Sequence, residues 1–102
     1  MKRFMVRYKV KADRAADNER YVAAVFEQLR RDRPPGLRYA SFKLADGVSF
    51  VHLVSIDGAD GQDPLRELPA FKAFVADIRD RCEEPPVSSV LEEVGSYRLF
   101  GN

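Results

Sequence analysis

His52 is the chain's only histidine. It is also the only side chain whose unperturbed pKa lies near neutrality. It belongs to the stretch FKLADGVSFVHLVSI, residues 42–56. Asp46-Gly47 is a strong two-residue hairpin signal, since a type I′ turn takes positive φ at both central positions. Such a turn sets Phe42 opposite Val51, Ser41 opposite His52 and Tyr39 opposite Val54, and opposed residues share a face. The expected neighbours of His52 are therefore Ser41 and Tyr39, with Arg7 joining them if the Met5, Arg7, Lys9 side of the first strand lies on that face. A base, a fixed cation and flat apolar walls would suit a phenol that must ionise before it reacts. His52 is the candidate base and Arg7 the candidate anion clamp. Tyr39, Ser41, Phe50, Phe71, Phe74 and Tyr97 complete the candidate pocket. The plainer alternative has His52 pairing with Ser41 inside an interface between two chains.

Other chemistry has less support. No His-rich or Cys-rich spacing suggests a metal. DGADG lies between a strand and a helix but lacks the lysine of a phosphate loop. Cys82 is the only cysteine, which excludes an internal disulfide framework and fits a reducing, cytoplasmic setting. A formal net charge of +1 argues against a nucleic-acid partner, which calls for clustered Lys and Arg. No run approaches the roughly 20 apolar residues of a membrane span, and MKRFMVRYKVK does not read as a signal peptide. Phe71 and Phe74 suit a helix core, Tyr97 an interface, Arg98 an edge or interface cation, and Asp77–Arg81 a solvated i, i+4 pair. Cys82 reads as a small core hydrophobe.

The elements that must position these residues follow from periodicity. Phe4, Val6, Tyr8 and Val10 alternate with Met5, Arg7 and Lys9, a strand with one strongly apolar face. Val22, Val25, Phe26 and Leu29 follow helical spacing, with the helix starting near Asp17 or Asn18 and stopped by Pro34-Pro35-Gly36. Strands are expected over 37–45 and 48–56, then a loop at GADGQD. Asp63-Pro64 resembles a helix start and Pro69 a restart. Phe71, Phe74, Val75, Ile78 and Cys82 form the stripe of a second main helix, ended by Glu83-Glu84-Pro85-Pro86. A last strand is expected over 87–100, with Gly95 a bend.

The order β-α-β, tight turn, β-α-β makes residues 1–102 a single α+β domain. It is ferredoxin-like (βαββαβ), a four-stranded antiparallel sheet with both helices on one face. The hairpin has two greasy faces and the chain one layer of helices. We expect the Ala40, Phe42, Leu44, Val51, Leu53 face under the helices. The face with Tyr39, Ser41, Lys43, Phe50, His52, Val54 and Ile56 would then be left for a second copy of the chain.

The two βαβ halves, the FKLADGVSFVHLVSI hairpin, the LPAFKAF helix start and the VGSYRLF end together resemble the dimeric α+β barrel superfamily, in its antibiotic biosynthesis monooxygenase-like branch. That resemblance implies a homodimeric barrel with helices outside and a pocket between sheet and helices in each subunit. It also implies a cofactor-independent monooxygenase of aromatic or quinol-type small molecules, or a non-catalytic small-molecule-binding or purely dimerising protein of the same fold. No cofactor is implied. The chain has no Trp, and residues 65–82 contain no His, so the haem-degrading members' axial ligand has no counterpart.

Overall fold

The computed structural model describes residues 2–58 and 63–99. Strand β1 (Lys2–Val10) leads through a single 3-10 turn (Ala12–Arg14) into helix α1 (Ala15–Asp32). Strands β2 (Leu37–Lys43) and β3 (Ser49–Ile56) form the hairpin. Helices α2 (Pro64–Glu67), α3 (Pro69–Ala76) and α4 (Ile78–Arg81) follow, then strand β4 (Cys82–Val90). All strand pairs are antiparallel, in the order β2-β3-β1-β4. This is the expected ferredoxin-like α+β sheet. Among the described residues, no helix is long and apolar enough to cross a membrane.

The hairpin register is the expected one: Phe42 faces Val51, Ser41 faces His52 and Tyr39 faces Val54. The turn differs. Only Gly47 takes positive φ, at 78°, and its N–H donates to the Leu44 carbonyl at 3.0 Å. Asp46 ties the turn instead, accepting from Val48 N (3.0 Å), Ser49 N (2.8 Å) and Ser49 Oγ (2.5 Å). These bonds, led by that from the Ser49 hydroxyl, hold its carboxyl down to about 2. A side-chain lock thus replaces the second positive φ while conserving the pairing.

The assignment of faces is reversed from expectation. β1 settles it: Val6 lies opposite His52 and Tyr8 opposite Phe50. The strongly apolar face of β1 therefore joins the face of Phe50, His52, Val54 and Ile56, and this joint surface carries the core. Tyr8, Val10, Phe50, Val54 and Ile56 are buried with Val25 of α1, Leu65 of α2 and Phe74 of α3. Phe26 of α1 stacks on Tyr39, with centroids 5.0 Å apart. The face expected under the helices is the open one: Phe42 is half exposed and Val87 more so. Arg7, opposite Val51, lies on that open face and is exposed.

Three boundaries also moved. α1 starts at Ala15, which puts Asn18 inside the helix and fully buried. The second helical region is three short pieces, broken at Leu68 and Asp77. β4 begins at Cys82 and runs through Pro85-Pro86 to Val90, where these prolines were expected to separate helix from strand. The edge position tolerates them, because β4 pairs only with β1 and neither Pro85 nor Pro86 has a partner in the β1 register, so no ladder donor is lost. Between Arg7/Val87 and Lys9/Glu84 β4 carries one extra residue, and a second shift follows before Cys82, so the prolines sit at a bulge. Residues 91–99 are not strand, and Gly95 lies among them. The loop over 59–62 and the strand end at Phe100 lie outside the described residues.

α1 ends on Arg33, which takes the left-handed conformation (φ 47°, ψ 56°) and donates its N–H to the Leu29 carbonyl at 2.8 Å. Pro34 disfavours a right-handed residue before it, so the chain leaves the helix by a conformation suited to glycine. Relief of the Cβ strain outweighs glycine's extra freedom in the unfolded chain. Arg33→Gly should therefore raise unfolding free energy by about 0.5–1 kcal/mol, seen as a higher urea midpoint at unchanged slope.

Candidate functional site

A cavity of about 440 Å³ lies between the helix-side face of the sheet and the α2–α4 segment. Its walls are mainly apolar: Phe4 and Val6 of β1, Phe71, Phe74 and Val75 of α3, and Ile78 of α4. Tyr8, Tyr39 and His52 complete the sheet side, while Lys72 and the Asp63–Arg66 pair (3.2 Å) supply its charged part. The rings form a connected set. Phe74 stacks on His52 at 5.5 Å and lies 5.9 Å from Phe71, and Tyr8 stacks on Phe50 at 5.5 Å.

His52, 3% exposed, has partners on both ring nitrogens. Nδ1 bonds the Tyr39 hydroxyl; Nε2 meets the Tyr8 hydroxyl at 2.8 Å and Ser41 Oγ at 3.2 Å. Behind Tyr8 the network continues inward. Asn18 Nδ2 donates to the Tyr8 hydroxyl at 2.8 Å, and Arg81 Nε donates to Asn18 Oδ1 at 3.2 Å. Arg81 has no exposed surface, so the expectation of a solvated pair with Asp77 is corrected. Its guanidinium bonds Asp77 Oδ1, donates to the Phe74 carbonyl at 2.7 Å and lies 4.4 Å over the Tyr21 ring. A buried cation is tolerated only when so many donors find acceptors.

Burial sets the ionisation. It pushes His52 down to about 4 and raises both tyrosine hydroxyls well above their ordinary range, with the Asn18 bond partly opposing the rise at Tyr8. At neutral pH the sheet side of the cavity is a neutral hydrogen-bonding surface. Among the described residues, no group of three His, Cys, Asp or Glu is placed to hold a metal.

The structure brings His52, Tyr39, Phe71 and Phe74 to the cavity wall. Ser41 stands behind His52, and Phe50 is buried beneath Tyr8. Tyr97 is 82% exposed and outside the cavity, and Arg7 is on the opposite face of the sheet from His52. Sequence reasoning missed Tyr8, Asn18 and Arg81. Two signals pointed to them. Tyr8 is the one polar-tipped residue in the apolar stripe of β1, and Arg81 follows Phe74 by seven residues, which returns it to the same helical stripe.

The low His52 pKa has a consequence for stability. Between about pH 4 and its ordinary 6.5 the unfolded chain binds a proton that the folded chain refuses. The stabilisation is therefore fully present above pH 6.5 and is lost as pH falls towards 4. Denaturant unfolding should show a loss of about 2 kcal/mol between about pH 7.5 and 5. His52→Gln, which keeps hydrogen bonding without titrating, should flatten that slope.

No protein-family model matches the sequence, and no curated protein matches it. Solved structures do. A candidate antibiotic biosynthesis monooxygenase from Nitrosomonas europaea superposes with a TM-score of 0.76 at 20% identity, over 93% of this chain and 100% of that one. Rv0793 from Mycobacterium tuberculosis gives 0.74 at 19% identity, over 93% and 96%. A variant of SnoaB, a cofactor-independent oxygenase from Streptomyces nogalater, gives 0.68 at 17% identity, over 95% and 96%. Nearly the whole chain thus shares the α+β fold of these solved structures.

Proposed function

We propose that the helix-side cavity binds a flat, mainly apolar aromatic molecule, and that the chain oxidises a phenol or quinol there as a cofactor-independent monooxygenase. The observation carrying this reading is the make-up of the cavity: phenyl walls from Phe71 and Phe74 against a neutral polar surface of Tyr8, His52 and Tyr39. Aromatic walls hold ring planes, and a few placed polar groups orient them. The likeness to SnoaB, itself a cofactor-independent oxygenase, supports the reaction class. A phenol with a free ring position can supply all four electrons: phenol plus dioxygen gives quinone plus water, one oxygen atom entering the ring and the other leaving reduced. His52 is the candidate catalytic residue, receiving the phenolic proton as the ring is oxidised. Arg7 has no place in this scheme, because the cavity and Arg7 lie on opposite sides of the sheet.

One observation favours a second reading, a non-catalytic binder. An imidazole pushed down to about 4 is a weak base at neutral pH. Oxygen uptake and binding with a panel of naphthols and anthrones separate the two. Oxidation by the wild type above the buffer rate, falling at least about tenfold in His52→Gln, is expected. Binding without uptake would assign the cavity to the non-catalytic class. Absence of both would reject the aromatic-ligand reading.

We further infer that the open face of the sheet pairs with a second copy of the chain. Phe42 (50% exposed) and Val87 (62%) stand there beside partly exposed Met5, Val51 and Leu53, a stripe too apolar for water. Val94, Tyr97 and Leu99 are also exposed, in the segment after β4, and would add to the contact. The partner surface is thus the face opposite to the one expected from the sequence. A free buried Cys82 suits a reducing cytoplasm. Sedimentation at micromolar concentration should give a dimer for the wild type and a folded monomer for Phe42→Glu. A monomeric wild type would reject the pairing.

A further inference from the structure

The side-chain network beneath the cavity can be followed proton by proton. Arg81 has only donors, so the Asn18 atom that meets its Nε at 3.2 Å is the oxygen. That orientation turns Asn18 Nδ2 towards Tyr8, whose oxygen must accept (2.8 Å). The Tyr8 proton then has one acceptor within the network, His52 Nε2. Tyr39 has one hydrogen-bonding partner as well, His52 Nδ1. A neutral imidazole carries one proton and has one accepting nitrogen. Two phenols therefore compete for a single acceptor.

In one tautomer Tyr8 donates to Nε2, and Nδ1–H donates to Tyr39. In the other Tyr39 donates to Nδ1, and Nε2–H donates to Tyr8 and Ser41. Either way each nitrogen and oxygen of this network keeps a partner, and either way one phenolic proton is left over. Both tyrosines belong to the cavity wall. The Ser41 hydroxyl also reaches Nε2, at 3.2 Å, but is not part of the cavity wall, so the cavity is offered one O–H donor, which shifts between two positions with the tautomer of His52.

We propose that the cavity takes a ligand with a neutral carbonyl oxygen, a ketone or quinone, which accepts this surplus proton from Tyr8 or Tyr39. This deepens the aromatic-ligand reading and rests on it. An acceptor oxygen completes the count, because it gives the left-over donor a partner without breaking any existing bond. A hydrocarbon leaves that donor unpaired in an apolar site. A phenol can take the surplus proton on its oxygen, but its own O–H then finds an acceptor in His52 only by displacing a tyrosine. Quinones are products of the oxidation proposed for this cavity, so the donor would hold the product, while a starting phenol reaches His52 by displacing one tyrosine from it.

The count predicts a non-additive mutant cycle. Removal of either hydroxyl leaves one phenol for one acceptor and abolishes the surplus. The probes are 9-fluorenone and fluorene, planar molecules that differ by the carbonyl oxygen. Tyr8→Phe and Tyr39→Phe should each weaken fluorenone binding about tenfold, roughly one neutral hydrogen bond, and leave fluorene binding unchanged. The double variant should lose no more than either single one. Nitrogen-15 shifts of His52 in the free proteins give a second readout: Nδ1–H in Tyr39→Phe and Nε2–H in Tyr8→Phe. Equal losses for both probes, additive losses, or one tautomer in both variants would overturn the proposal while leaving an aromatic site standing. If neither probe binds the wild type, the aromatic-ligand reading fails and this proposal falls with it.

Discussion

Arg81 is the member of the structure on which the others depend. It is a cation without exposed surface at the point where α1, α3 and α4 meet. Burial of an unpaired guanidinium would cost several kcal/mol, so its surroundings are dictated: the Asp77 carboxylate, the Phe74 carbonyl, the Tyr21 ring and the Asn18 oxygen. Each of those contacts constrains an element. The Phe74 carbonyl places α3 over the sheet, and the Asn18 oxygen holds the first turns of α1 against β1. Because Arg81 can only donate, it gives direction to a chain of bonds running through Asn18 and Tyr8 to His52.

That direction makes the cavity floor chemically definite. In an isotropic apolar pocket a buried histidine would be a liability, an uncompensated polar ring. Here Tyr8, Tyr39 and Ser41 satisfy it on both nitrogens, and the phenyl ring of Phe74 covers its face. The polar groups are buried because they answer one another, and their neutrality follows from the same burial. The cavity wall is therefore a layer of hydrogen bonds beneath an aromatic clamp. It presents a shape and a donor pattern, with little field of its own.

The same point explains what could be read in the sequence and what could not. The βαββαβ order and the hairpin register were legible, because Asp46-Gly47 and the alternation on either side specify local pairing. His52 beside Ser41 and Tyr39 followed from that register. The choice of face did not. Judged by side-chain polarity, the Tyr39, Ser41, His52 face looks the more exposed, and the Ala40, Phe42, Val51, Leu53 face the better core. A hairpin alone cannot break that tie. The β1–β3 register does, by setting Val6 against His52, and this pairing joins residues far apart in sequence, with no turn to announce it. Tyr8, Asn18 and Arg81 stayed hidden for a related reason: each looks ordinary alone, and their relation exists only once three helices and a strand are assembled. Pro85-Pro86 misled in a simpler way, since diproline reads as a stop unless the strand is known to lie at an edge.

The position of that diproline has a further consequence. Among the described residues β4 turns one flank outward with no strand beside it, and an unguarded flank is a template on which another chain can stack and start a fibril. Pro85 and Pro86 lack amide protons, and the shifted register around them twists the outer rim away from straightness. Runaway cross-β stacking is thereby discouraged on this side. A molecule with so much oil on one broad surface needs such a guard, since apolar contact between copies would otherwise set their bare flanks side by side and let sheet extension proceed without end.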